Sequence, residues 1–419
     1  MRPAKGLSLV NQVLYLIFLT SLVCSFRAVC SIGIALILVA GIIKNRLEIK
    51  TFFHRHIINP FFLSCCLLFC LVIVSLLYTT NSHETWNKIR LCSGLLITPL
   101  AICCTNYINI TSREKLLTWY SLILTTASLY CLVYAAIHYF QSGDSSHFFY
   151  HALVSPFNHH AVYFAILVFI ALVFLLDRLL KSNFIYGKYF HLSVIAFLSV
   201  FLFLLSSKLI IFSYLLYLLY IFSILVKRKT NRRRLIIGSF VLSAIVICSV
   251  LVTRNPVSSR YYEILQGNLH VIEQAKFSPA DYFNGLQFRL LQWRFTGEIL
   301  TEKHRWLLGV SPGDAQTLID QKYISSKMWV GEPAKGTTGF LGYNTHNQFL
   351  ETTLQLGIAG LIVLLAIVIS LARMALLKKR RTLSAVVILF ITWLFIESVF
   401  ETQFGIMIFT FFPLFFSLD

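Results

Sequence analysis

The chain has 419 residues, of which 57% are hydrophobic and only 13% charged, and its mean hydropathy is +0.76. Soluble globular domains carry about 25% charged residues, so a soluble fold is excluded and a polytopic membrane protein is expected. The formal net charge of +19 comes largely from clusters beside apolar runs, a pattern that fits topology and anionic headgroups rather than nucleic acid.

A spanning helix needs about 20 mainly apolar residues. By that rule about twelve spans are predicted, at residues 9 to 25, 29 to 43, 60 to 78, 90 to 108, 117 to 140, 160 to 176, 191 to 205, 209 to 226, 235 to 252, 348 to 372, 383 to 399 and 402 to 417. The run from Leu192 to Val226 is too long for one crossing, and Ser206-Ser207-Lys208 in its middle provides a hairpin. Arg2 and Lys5 precede an apolar run as in a secretory signal, but no small-residue cleavage site follows, so a retained first helix is expected. The expected fold class is therefore an all-α integral membrane protein. Residues 1–252 hold helices one to nine, 253–345 form a large, partly helical outer loop, and 346–419 hold helices ten to twelve.

Cytoplasmic loops retain positive charge. With the N-terminus inside, that face collects 22 of the 36 basic residues, including Lys44 to Arg55, Arg178 to Lys188, Lys227 to Arg234 and Arg373 to Arg381. Both termini then lie inside and the polar segment Thr253 to Thr345 lies outside. That segment contains no cysteine, so neither a disulfide nor a thiolate-bound zinc holds it together. Cys65-Cys66 with Cys70, and Cys103-Cys104, read as small packing residues within spans. Twelve spans also suit a transporter or lipid-linked sugar flippase built from two halves. No motif repeats between the halves, however, and charges deep within the spans are scarce.

Chemistry is thus confined to the outer segment and the helix mouths around it. Gly285 to Thr296 places Leu286, Leu290 and Trp293 on one stripe, predicting an amphipathic helix against the membrane face with Arg289 and Trp293 sharing a side. At the end of the loop, Asn344 or Thr345 is expected to cap a helix beginning near His346. A histidine in that first turn would be held neutral by the helix dipole, as a general base requires. Gly357 and Gly360 are expected to allow close helix packing. His160 and Tyr163 sit at the mouth of helix six, and Glu397 and Glu401 stand one turn apart where they would orient His346 or pair with Arg289.

Tyr343-Asn344-Thr345-His346-Asn347-Gln348-Phe349-Leu350-Glu351, followed by Gly357-Ile358-Ala359-Gly360-Leu361, resembles the signature of the O-antigen ligase and polymerase superfamily. Arg289 ahead of Trp293 matches its second element. Ser207-Lys208 matches its third, with lysine where the family usually has arginine, so the charge is kept and the bidentate fork is lost. The similarity runs from about Leu192 to the C-terminus.

The resemblance implies a glycosyltransferase of the bacterial inner membrane with its active site on the periplasmic face. It would move a glycan from undecaprenyl diphosphate to a sugar hydroxyl of lipid A-core, inverting the anomeric centre. A polymerase extending lipid-linked repeat units would share the donor chemistry. His346 would take the acceptor proton, and Lys208, Arg289 and Arg294 would hold the diphosphate. His160, Tyr163, Asn347 and Glu397 would support the site or line the acceptor path. The eight acidic residues of the loop include no Asp-x-Asp pair, so a site without metal or cofactor is expected, and no nucleic-acid partner.

Overall fold

The computed structural model describes residues 9–45, 59–104, 108–227, 238, 269–332 and 336–418. The predicted span 235–252, the basic residues 228–234 and the loop start at 253–268 lie outside them, apart from Gly238. Arg2, Lys5 and the loop 46–55 also lie outside. Among the described residues the chain is all-helical, with no strand.

The first six helices are α1 (Leu9–Val23), α2 (Arg27–Asn45), α3 (Pro60–Val74), α4 (Ser82–Cys92), α5 (Gly94–Cys103) and α6 (Ile110–Ser142). Next come α7 (Ala161–Lys181), α8 (Lys188–Leu204) and α9 (Lys208–Lys227). The segment expected to form the outer loop contributes α10 (Gly285–Glu302) and α11 (Pro312–Ser325), and the C-terminal part contributes α12 (Gln348–Lys378), α13 (Arg381–Leu394) and α14 (Gln403–Ser417). By length and composition α2, α3 with the turn that follows it, α6, α7, α9 and α12 are long and apolar enough to cross a membrane, and α1, α8, α13 and α14 are shorter apolar helices.

Local signals set several starts. Asn59 caps α3 by accepting from Phe61 N, with Pro60 at the first position, and Asn109 caps α6 by accepting from Ser112 N. Nearly every residue of α7 from Ala161 to Leu180 is buried, as expected for a helix apolar on all sides. It is the central post of the bundle, and α14 is buried along nearly its whole length as well.

Two predicted spans are interrupted. The span 90–108 is divided at Ser93 between polar α4 and apolar α5. The span 348–372 is broken at Gly357, whose backbone (φ 64°, ψ −162°) leaves the helical region. A kink orphans carbonyls on one side and N–H groups on the other, and residues 306–311 of the outer loop satisfy both. Ile358 N donates to Trp306 O (2.8 Å) and Ala359 N to Leu307 O (3.2 Å), while Val310 N donates to Leu354 O (2.8 Å) and Ser311 N to Gln355 O (3.0 Å). A Cβ on Gly357 would stand 2.3 Å from the Leu307 carbonyl carbon, so only glycine fits. Gly357 therefore admits the outer loop into α12, rather than another helix.

The loop has a small core of its own. A capping box starts α10, with Asn284 Oδ1 accepting from Leu286 N and Gln287 N (both 3.0 Å) and Gln287 Oε1 accepting from Asn284 N (2.8 Å). Phe288, Leu291, Phe295 and Ile299 then pack with Ala315, Ile319 and Tyr323 of α11 and Leu354 of α12. This buried stripe replaces the predicted Leu286, Leu290 and Trp293 stripe, of which Leu286 is exposed and the other two half-buried. The helix turns its apolar face to protein because α11 and α12 cover it.

Candidate functional site

The site forms where the end of the outer loop meets the turn between α13 and α14. Helix α12 begins at Gln348, just past His346, and its cap is Asn347 rather than Asn344 or Thr345: the Asn347 side-chain oxygen accepts from Phe349 N (2.9 Å) and Leu350 N (3.1 Å). The expected cap Asn344 instead accepts from His346 N (3.1 Å). His346 therefore lies outside the helix, with φ 46°, and is held by its neighbours rather than by the helix dipole.

Those neighbours are specific. Asn347 Nδ2 donates to Phe395 O (3.0 Å), and Gln348 Oε1 accepts from Phe400 N (2.6 Å), so the start of α12 is tied to both ends of the 395–400 turn. The turn presents Glu397, whose Oε1 lies 3.2 Å from His346 Nδ1. Because the carboxylate only accepts, Nδ1 carries the hydrogen and Nε2 is left as the acceptor nitrogen. Burial alone would raise the Glu397 carboxyl. The hydrogen bond and charge interaction with His346, with further contributions from His160 and Arg289, outweigh burial and hold it below the usual carboxylate range.

Arg289 thus stands within electrostatic reach of this pair. Its Nη1 donates to Gly285 O (3.2 Å), and its buried Nε has no partner among the described residues. One turn along α10, Trp293 Nε1 is likewise buried and unpartnered. A buried donor left unpaired costs about 1–3 kcal/mol, so this side of α10 is suited to accepting groups from outside the chain. Between them Gln292 donates to Tyr323 Oη (2.9 Å) and to the carbonyl of Asn344, fastening α10 to the segment that carries His346.

Other predicted residues fall around this centre. His160 and Tyr163 pack edge to face (5.5 Å between ring centroids), Tyr163 packs on Trp393 (5.3 Å), and Tyr163 Oη accepts from Thr402 Oγ1 (2.8 Å). Tyr163 thereby joins α7 to the turn that carries Glu397. The Phe164–Phe201 contact (5.7 Å) aligns the start of α7 with the end of α8. The Ser207-Lys208 hairpin that follows α8 therefore lies at the same end of the bundle as His346. Arg294 faces elsewhere: it bonds to the carbonyls of Ile272 and Gln274 (2.9 Å to the latter) and pairs with Glu298 (2.9 Å). Among the described residues Glu401 forms no ion pair with Arg289 and pairs instead with Lys88.

Residues 192–365 match the family model described as O-Antigen ligase. That stretch carries the chain's likeness to the O-antigen ligase family. None of the curated proteins compared with the chain matches it. The O-antigen ligase match takes in Lys208, Arg289, Trp293, His346 and Asn347. Glu397, His160 and Tyr163 lie outside it and are brought to the site by the fold.

A second buried network supports the matched segment from behind. Glu351 accepts from Thr345 N (3.1 Å), Thr345 Oγ1 (2.8 Å) and Gln355 Nε2 (2.7 Å), and Gln355 Nε2 also reaches Glu401 (2.9 Å). Lys88 completes it by pairing with Glu401 and donating to Phe400 O (3.3 Å). Sequence reasoning assigned no role to Lys88, Glu351 or Gln355. A lysine at the mouth of an apolar span was the available signal, since such a charge needs a partner.

Proposed function

We propose that the protein is a metal-independent, inverting membrane glycosyltransferase that moves a glycan from undecaprenyl diphosphate to a sugar hydroxyl, with lipid A-core as the acceptor. The observation that carries this reading is the His346–Glu397 pair at 3.2 Å beside an Arg289 whose Nε has no partner among the described residues. A hydrogen bond to a carboxylate fixes the tautomer of His346 and leaves Nε2 as the nitrogen open to take a proton.

In the proposed reaction His346 Nε2 takes the proton of the acceptor hydroxyl as its oxygen attacks the anomeric carbon. The carbon–oxygen bond to phosphate breaks on the opposite face, and undecaprenyl diphosphate leaves with the bonding pair. Arg289 and Lys208 stabilise the charge gathering on the phosphate oxygens. Arg294, already engaged with Glu298 and two carbonyls, is assigned a supporting role in positioning α10.

A groove of about 580 Å³ supports a lipid-linked donor. It extends from Leu209 and Thr392, at the His346 end, past Phe212 and Leu216 to Lys379 and Arg381. An isoprenoid chain lying there would leave its diphosphate near Lys208. We place the protein in the bacterial inner membrane with both termini cytoplasmic and the site periplasmic, on the distribution of Lys and Arg. Purified protein given labelled undecaprenyl-diphosphate glycan, with or without lipid A-core, tests the function. Label on lipid A-core supports the ligase, lengthened lipid-linked glycan assigns a polymerase, and unconsumed donor in both cases refutes the proposal.

A further inference from the structure

On the far side of α11 from His346 lies a separate cavity of about 330 Å³, lined by Tyr78, Thr80, Lys303, Arg305, Thr317 and Gln321 among others. The two sides of the helix are distinct. Gln316 and Asp320 turn to the backbone of Tyr343 and Gly342, whereas Asp314, Thr317, Leu318 and Gln321 line the cavity.

The cavity holds two cations that form no ion pair with the described residues. Arg305 lies over the ring of Tyr78 (5.8 Å). The carboxylate at hand, Asp314, is already occupied: it accepts from Thr79 Oγ1 (3.1 Å), Thr80 N (2.9 Å), Thr80 Oγ1 (2.5 Å) and Ser311 Oγ (2.8 Å). It fastens α11 to the segment after α3 and leaves Lys303 and Arg305 to an outside anion.

The position of the cavity says which anion. Leu77 closes the apolar run of α3, and the membrane-length half of α12 starts at Ile358, whose N–H is bonded to Trp306 O. Tyr78 Oη donates to Leu308 O (2.6 Å), joining these two boundaries. Around the cavity the apolar side chains Leu77 (86%), Leu307 (68%), Trp306 (46%) and Leu308 (43%) are exposed. Tryptophan, leucine and paired basic residues at the end of a span form a surface that meets acyl chains and headgroup phosphates together.

We propose that the Lys303–Arg305 cavity is a second anion site, separate from the His346 centre, which takes the phosphate of an anionic membrane lipid while Trp306, Leu307 and Leu308 enter the acyl boundary. The outer loop would thereby be anchored where it enters the kink of α12.

Native mass spectrometry of the full chain in detergent, titrated with phosphatidylglycerol, tests this. The expected result is one tightly held phosphatidylglycerol in the wild type, with its occupancy falling about tenfold or more in Lys303→Ala/Arg305→Ala. Arg305→Lys should restore part of it. Diacylglycerol should not occupy the site, and inorganic phosphate at equal concentration should not displace the lipid. Equal phosphatidylglycerol occupancy in wild type and double variant would overturn the site. Displacement by inorganic phosphate would overturn the lipid assignment in favour of a free-phosphate site. Both residues are exposed, so the fold should survive, and the single variants Lys303→Gln and Arg305→Gln give the same reading if the double variant fails to fold.

Discussion

Glu397 lies 3.2 Å from Nδ1 of His346, although 51 residues separate them in the chain. The contact exists because Asn347 and Gln348, the first residues after the histidine, hold the turn that carries the carboxylate through Phe395 O and Phe400 N. On the proposed mechanism the pair is the proton acceptor. His346→Ala should lower kcat by about 10²–10⁴-fold while leaving membrane insertion intact. Glu397→Gln should lose less, and mainly in kcat rather than KM, as measured by glycan transfer under saturating donor.

Arg289 separates charge from geometry. Its buried Nε, without a partner among the described residues, and its planar fork suit two phosphate oxygens at once, whereas lysine offers a point charge. Arg289→Lys should therefore bind donor more weakly and turn over more slowly than wild type, and Arg289→Ala should be lower still. Donor binding by both variants and their kcat/KM values check the order.

Gly357 tests the junction between the outer loop and the bundle. Alanine there meets the Leu307 backbone and a backbone conformation that residues with side chains rarely adopt. The strain alone costs about 1–3 kcal/mol. Gly357→Ala should lower the unfolding temperature in detergent and expose the 306–311 segment to proteolysis.

Lys88 and Glu401 form a nearly buried pair behind the site. Removing one member of such a pair costs about 3–5 kcal/mol, whereas replacing both by residues of similar shape costs much less. Lys88→Met should be more destabilising than Lys88→Met/Glu401→Gln, measured as a double-mutant cycle in thermal unfolding.

Asp314 provides a pH dependence outside the His346–Glu397 pair. Burial would raise its carboxyl, but the hydrogen bonds from Thr80, Ser311 and Thr79 outweigh that and lower it below the usual value. A folded-state pKa below that of the unfolded chain adds stability that is fully present above the unfolded value and is lost as pH falls through the folded one. The stability difference between wild type and Asp314→Asn should thus be flat near neutrality and shrink on acidification below about pH 4. Thermal unfolding across that range checks the sign.

Much of the helical scaffold was legible because apolar runs of spanning length have few other interpretations, and the break at Ser206-Ser207-Lys208 follows from excess length. The start of α12 was not legible: Asn344, Thr345 and Asn347 are all good caps, and the choice depends on Phe395 and Glu351, which are distant or inside the helix. The kink at Gly357 was also hidden, since its hydrogen-bond partners are backbone groups of residues 306–311 and have no side-chain signature. The same holds for Arg294, whose partners include the carbonyls of Ile272 and Gln274. Glu397 was visible as a carboxylate near the right helix end, but its pairing with His346 rather than Arg289 required the fold.

Transfer by the purified protein in lipid vesicles, from labelled undecaprenyl-diphosphate glycan to lipid A-core, measured side by side for wild type and His346→Ala, tests whether His346 is the base of a glycan transfer. Label should appear on lipid A-core with the wild type and not above background with His346→Ala at equal protein incorporation. Equal transfer by the two proteins would contradict that role.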